Sequence, residues 1–149
     1  MASVEKFSAG AVRNQLRHNR REIEHSGNPD IDPSRQGQDY VLSPDRGMTE
    51  YDYFKQRISQ LYVYNRDDIK VMAGWVVTAP QDLDPTRYDD FFYTTYDFLE
   101  KRYGKENVIQ AIVHDDEGGQ PHLHFCFVPV VEDSKHDEGY KVCANEVLD

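Results

Sequence analysis

The 149-residue sequence predicts an α+β domain in which helices lie mainly on one face of a central antiparallel sheet. Two observations carry that expectation. The first half reads as two amphipathic helices, whereas the second alternates strand, helix, strand, strand with short connections. A chain of this length also buries about 70% of its unfolded surface around a single core, so one domain over residues 1–149 is expected.

Ala11 to Arg21 (AVRNQLRHNRR) carries four arginines and no acidic residue, with Val12, Leu16 and then Ile23 at helical spacing. It predicts a helix with a basic face. Ser26 to Gly47 is rich in Asn, Asp, Pro, Ser, Gly and Gln, lacks hydrophobic periodicity, and is long for a passive connection. Thr49 can cap a second helix, with Phe54, Ile58, Leu61 and Tyr62 on one stripe. Val71 to Ala79 (VMAGWVVTA), apolar and β-branched and closed by Pro80, predicts a buried strand. Asp84 can cap and Pro85 can open a helix to Tyr103, with Tyr88, Phe92, Thr95 or Tyr96, Leu99 and Tyr103 inward and Gly104 as its terminator.

Val108 to His114 and His122 to Val128 flank the loop DDEGGQP and predict two antiparallel neighbours. Period-two alternation sorts their side chains. Ile109, Ala111 and Val113 share one side of the first strand, with Gln110, Ile112 and His114 opposite. In the second, Leu123, Phe125 and Phe127 form an apolar side for helices to cover, while His122, His124 and Cys126 form the open one.

The formal charge is -10 and the pI about 5.0, which excludes a uniformly basic nucleic-acid coat. The charge is uneven: residues 1–70 hold 11 basic and 11 acidic side chains, residues 71–149 hold 6 and 16. Arg13, Arg17, Arg20 and Arg21 surround His18, a local basic edge that screening over ~10 Å lets act independently of the acidic remainder. Two cysteines without a CxxC pair offer neither a disulfide framework nor a zinc ribbon. A reducing cytoplasm is expected, with no membrane contact, since no apolar run approaches the ~18 residues of a span.

Three of the six histidines fall in HDDEGGQPHLH, His114 to His124. Residues i and i+2 of a strand project to one face about 7 Å apart, so His122 and His124 can tilt onto one ion, and His114 on the adjoining strand end can complete a three-imidazole site. Three imidazoles leave open positions, as catalytic metal sites do, and favour Mn, Co, Ni or Zn over an all-oxygen site. Glu117 is a candidate fourth ligand, ligand orienter or proton acceptor. Solvent-facing strand histidines are the bland alternative, which the third histidine and the acidic turn make less economical.

Together with the N-terminal segment, this constellation resembles a known family. His18 to Tyr40 (HNRREIEHSGNPDIDPSRQGQDY) is similar to the first motif of plasmid mobilisation relaxases of the Mob/Pre (MobV) type: His18, Asn19, Arg21, Asn28, Ile31, Asp32, Pro33, Ser34, Arg35 and Tyr40 match in order, with Asp39 in place of the usual Asn. HDDEGGQPHLHFCFVP resembles the family's HxDExxPHxHxxxVP metal motif, with one extra residue between Glu117 and Pro121. KVCANEVLD resembles the stretch that follows in relatives. His122-Leu123-His124 satisfies the signature of the wider HUH endonuclease superfamily, two histidines around a hydrophobic residue.

The resemblance implies a five-stranded antiparallel sheet with the HUH strand central. It implies metal-dependent, strand-specific nicking and joining of DNA at a plasmid transfer origin, for mobilisation and recombination, through a covalent 5′-phosphoryl link. By the same match His18 is the nucleophile, with Tyr40 and Tyr103 as alternatives, and Glu117 a second catalytic residue. A neutral imidazole is a competent nucleophile near pH 7. A divalent ion on His114, His122 and His124 would neutralise charge on the reacting phosphate: Mn is expected, with Mg, Co, Ni or Zn as alternatives. Arg20, Arg21 and Arg35 are expected to contact phosphates, and Asn19 and Tyr40 to join them in binding DNA. The expected partner is single-stranded or hairpin origin DNA. Relatives continue beyond the point matching Asp149, so the resemblance implies either a fragment of a longer chain or an engineered catalytic domain, with any dimerisation in that further region. The competing expectation is a non-catalytic origin- or promoter-binding module of the same fold, which has no need of His18 and the metal histidines.

Overall fold

A computed structural model describes residues 1–20, 39–115 and 119–148. The expected site residues Arg21, Arg35 and Glu117 lie outside the described residues.

The chain opens with strand β1 (Ala2–Ser8) and helix α1 (Ala9–Asn19), continues through β2 (Tyr40–Val41), α2 (Glu50–Ile58) and β3 (Lys70–Thr78) to α3 (Tyr88–Tyr103), and then forms β4 (Val108–His114) and β5 (His122–Phe127). The hairpin β6 (Val130–Glu132) and β7 (Tyr140–Val142) precedes a short helix α4 (Ala144–Leu148). The main sheet has the order β1-β3-β5-β4-β2, antiparallel at every pairing. The strand carrying His122 and His124 is therefore the middle one of five, as the resemblance implies.

Local chemistry sets the helix ends. The Thr49 hydroxyl accepts from the Asp52 amide at 3.1 Å and starts α2. The Asp84 carboxylate accepts from the Thr86 amide at 3.0 Å, and Pro85–Arg87 forms one 3-10 turn before α3 takes over. Gly104, at φ 97°, ends α3 in a backbone region where a side chain would be strained. Helix α1 starts two residues earlier than its apolar spacing suggests, directly from the end of β1.

The α+β class holds, but helices cover both faces of the sheet. On one face, α3 packs Phe92, Tyr96 and Leu99 against Leu123, Phe125, Phe127, Ala111 and Val113. On the other, α1 and α2 bring Val12, Leu16 and Phe54 onto Met72, Ile109 and Cys126. Two hydrophobic layers form because β4 is buried along all seven residues, so it has apolar side chains for both sides. A bulge between Val108 and Gln110 corrects the expected alternation: Val108 lies opposite Phe127 and Gln110 opposite Cys126, so the extra residue, Ile109, joins the α1 and α2 layer rather than that of Ala111 and Val113.

Candidate metal centre

The three histidines meet on the face that carries α1 and α2. Antiparallel register sets His114 of β4 directly opposite His122 of β5, with His124 opposite Ile112. Ring centroids are 5.5 Å apart for His114 and His122, 4.5 Å for His114 and His124, and 4.9 Å for His122 and His124. One ring nitrogen from each lies within 4.8 Å of the others. Donors bound tetrahedrally at about 2.1 Å stand roughly 3.4 Å apart, so ring rotations of about one ångström bring all three onto a shared ion. The residues fit a divalent metal with open coordination positions.

The centre is not a surface feature. His114 is 1% exposed and His122 9% exposed, while His124 is half-buried. Such burial of three imidazoles on a sheet face calls for partners, and His114 has one: its Nε2 lies 2.6 Å from the Asn19 carbonyl. A carbonyl oxygen only accepts, so that ring carries its proton on Nε2 and its lone pair on Nδ1 while the contact lasts. The strand histidine is thus oriented by the last residue of α1, and His18, partly exposed, sits one residue before that contact. The loop that follows His114 is tied back as well: the Asp115 amide donates to Asp39 Oδ1 at 2.9 Å. An Asn at position 39 would present the same acceptor oxygen.

Three of the residues expected to bind DNA have partners within the protein. Arg20 grips Glu50 with two hydrogen bonds, at 2.9 and 2.8 Å, pinning the end of α1 to the start of α2. Asn19 is 1% exposed, with its side-chain amide turned inward to Gln110 at 2.9 Å. Tyr40 pairs with Val113 and therefore points to the α3 side of the sheet, where its hydroxyl donates to Asp89 at 2.8 Å. Burial first, then the Asp89 carboxylate, raises the Tyr40 phenol above its ordinary value. Tyr103 also lies on that side, stacked on Phe127 at 3.8 Å and accepting from Trp75 Nε1 at 3.0 Å. Neither tyrosine faces the histidines, and His18 precedes in the chain the residue whose carbonyl meets His114.

Sequence reasoning passed over Gln110 and Glu50. Gln110 is 0% exposed in the middle of β4, and Glu50 accepts from both it and Arg20. A signal was present in VIQAIV, a lone amide inside an apolar run, because a buried amide must find partners.

Comparison with known proteins agrees with this geometry. The family model described as plasmid recombination enzyme matches residues 1–149. The chain is 34% identical over 137 residues to a plasmid recombination enzyme of Bacillus thuringiensis, covering 89% of this chain and 31% of that protein. It is 35% identical over 126 residues to plasmid recombination enzyme type 1 of Staphylococcus aureus, covering 80% of this chain and 31% of the relative. The chain thus spans about a third of the length of these curated relatives. Among solved structures it resembles the Mn-bound MobM relaxase domain in complex with plasmid pMV158 oriT DNA at pH 6.8, with TM-score 0.80 and 30% identity over 100% of this chain and 76% of the other. A Mn-bound structure of the same domain at pH 4.6 matches with TM-score 0.77 and 29% identity over the same shares. Matched along its whole length and sharing this fold, the chain belongs to the plasmid recombination enzyme (Mob_Pre) family.

Proposed function

We propose that this chain is the catalytic domain of a DNA relaxase, which nicks and rejoins one strand at a plasmid transfer origin through a phosphoryl-histidine intermediate on His18. The observation that carries the reading is the Asn19 carbonyl on His114: one contact ties the turn that bears a partly exposed histidine to the three-imidazole centre. His114, His122 and His124 would hold the ion, and Mn is the metal in the structural relatives. Bound there, a divalent metal supplies charge neutralisation on the non-bridging phosphate oxygens.

The remaining chemistry belongs to the chain. A ring nitrogen of His18 forms the N–P bond as the P–O bond to the 3′ oxygen breaks. The 3′ oxygen gains a proton, and the imidazole loses one from its other nitrogen. Rejoining is the same exchange in reverse. His114, 1% exposed against the Asn19 carbonyl, is shielded from water, and half-buried His124 is the imidazole more open to substrate. Arg21 and Arg35 are the phosphate contacts, and Glu117 is a second catalytic residue. Origin DNA, single-stranded or hairpin, is the partner, and the cytoplasm is the setting; among the described residues no helix is long and apolar enough to cross a membrane.

The test uses Mn and labelled single-stranded origin oligonucleotides. A nick with a protein-linked 5′ fragment is expected from the wild type, and none from His18→Ala with DNA and Mn binding retained. Adduct formation by the alanine variant refutes the nucleophile. DNA binding without any nick favours the non-catalytic module, and a nick without an adduct favours a hydrolase.

A further inference from the structure

Gln110 has no part in the two sequence motifs, yet it is the hub of the polar contacts beneath the site. Its Nε2 donates to the Leu16 carbonyl at 3.0 Å and to Glu50 Oε1 at 2.8 Å, which uses both amide protons. Its Oε1 accepts from Asn19 Nδ2 at 2.9 Å. Asn19 is held from two other directions, by Gln15 Nε2 on its Oδ1 at 3.0 Å and by Cys126 Sγ at 3.5 Å from its Nδ2. Glu50 in turn holds Arg20. The last turn of α1, residues 16–20, is thereby fastened from below by one strand side chain.

Packing alone does not call for this arrangement. Position 110 is 0% exposed within a layer of Leu16, Ile109 and Cys126, where an aliphatic side chain would fill the space without any partners to satisfy. What an amide adds is a fixed register, because each of its bonds constrains direction as well as distance. The register it fixes is that of the His18 turn on the strand four residues before His114.

We propose that Gln110 is a positioning residue for the nicking reaction: by holding Asn19, it sets the His18 turn at its working distance and keeps the Asn19 carbonyl on His114 Nε2. The inference rests on the proposed relaxase reading for its kinetic part only; the ring contact it controls is made by the protein's own groups. Phosphoryl transfer demands near in-line approach, and a displacement of about 1 Å costs on the order of 100-fold in rate.

The test compares the wild type with Gln110→Met, which keeps the volume and loses the three hydrogen bonds, and with Asn19→Ala, which cuts the same link from the other side. In metal-free protein, ring-nitrogen NMR is expected to show His114 as the Nε2–H form with a slowly exchanging ring proton. Both variants are expected to lose at least tenfold of that protection while the central β5 amides stay protected. With Mn and a saturating origin oligonucleotide, both are expected to form adduct ~10- to 100-fold more slowly, with KM within threefold of wild type. The double variant should be no more than threefold slower than the slower single one, since both cut one link. A wild-type ring-proton exchange rate in Gln110→Met, or an adduct rate within threefold of wild type, overturns the proposal. If Gln110→Met does not fold, Asn19→Ala carries the same two measurements. Failure of the wild type to nick overturns the relaxase reading and the kinetic role together, whereas the ring-proton result stands or falls separately.

Discussion

Replacing Tyr40 by Phe separates the two faces of the sheet in one experiment. The variant removes a single oxygen, which donates to Asp89 Oδ1 at 2.8 Å on the α3 side. A hydrogen bond to an ionised group is worth about 1.5–3 kcal/mol. Asp89 is exposed and recovers water when the phenol leaves, which reduces the expected loss to roughly 0.5–1.5 kcal/mol. For a domain of this size each kcal/mol moves Tm by about 2–4 °C, so calorimetry should show a fall of roughly 1–6 °C. Adduct formation with an origin oligonucleotide should be unchanged within threefold. The physical reason is twofold: the ring lies on the face away from His114, and burial with Asp89 raises the phenol above its ordinary value, the wrong direction for a nucleophile. Loss of the adduct with Tm unchanged would refute this assignment of faces and return Tyr40 to the candidates.

Other outcomes follow from the same structure. The Tyr96 hydroxyl is buried without a hydrogen-bond partner among the described residues, so Tyr96→Phe should raise stability by about 1 kcal/mol in urea titrations. Burial, then the neighbouring Glu100, raises the Tyr96 phenol. Its contribution is therefore complete below the unfolded value near 10 and declines above it by at most about 1.4 kcal/mol per pH unit; the Phe variant should lack that alkaline slope. Removing one imidazole by His122→Ala should weaken Mn binding at least ~100-fold by calorimetric titration while leaving the circular dichroism spectrum unchanged. Protons compete for the same nitrogens, so the wild-type Mn affinity should fall as pH falls and be recovered by added Mn. Burial pushes the Cys126 thiol up to about 12, so a thiol reagent at pH 8 should label Cys143 alone in the folded protein and both cysteines in urea.

The parts of this fold that were legible in sequence are those governed by local rules. Thr49 and Asp84 signalled helix starts through hydroxyl and carboxylate caps, and the period-two pattern of HLHFCF put two histidines and a cysteine on one face and three apolar side chains on the other. What stayed hidden is non-local. Strand β1 reads as polar because it is an edge strand, exposed along Ala2–Glu5 and paired only to β3. Strand β2 has two residues and takes its identity wholly from β4. The bulge at Ile109 follows from pairing with β5, which period-two counting within β4 cannot register. At the site, residue types located the three ligands, but the roles of Arg20, Asn19 and Tyr40 depended on which face and which neighbour each met. The sequence shows an arginine beside a candidate nucleophile but not that Glu50, thirty residues on, holds it.

The position of β5 in the middle of the sheet has one more consequence. Its backbone amides are bonded to β3 on one side and to β4 on the other, so no fraying edge or loose terminus exposes them. Opening there requires separating the layers on both faces, which amounts to unfolding the domain. Two of the three candidate ligand histidines therefore ride on what should be the slowest-exchanging segment among the described residues. Unlike a zinc finger, whose ligands are organised only when the ion arrives, a scaffold built this way would release and reload an ion at a rate set by ligand exchange rather than by refolding.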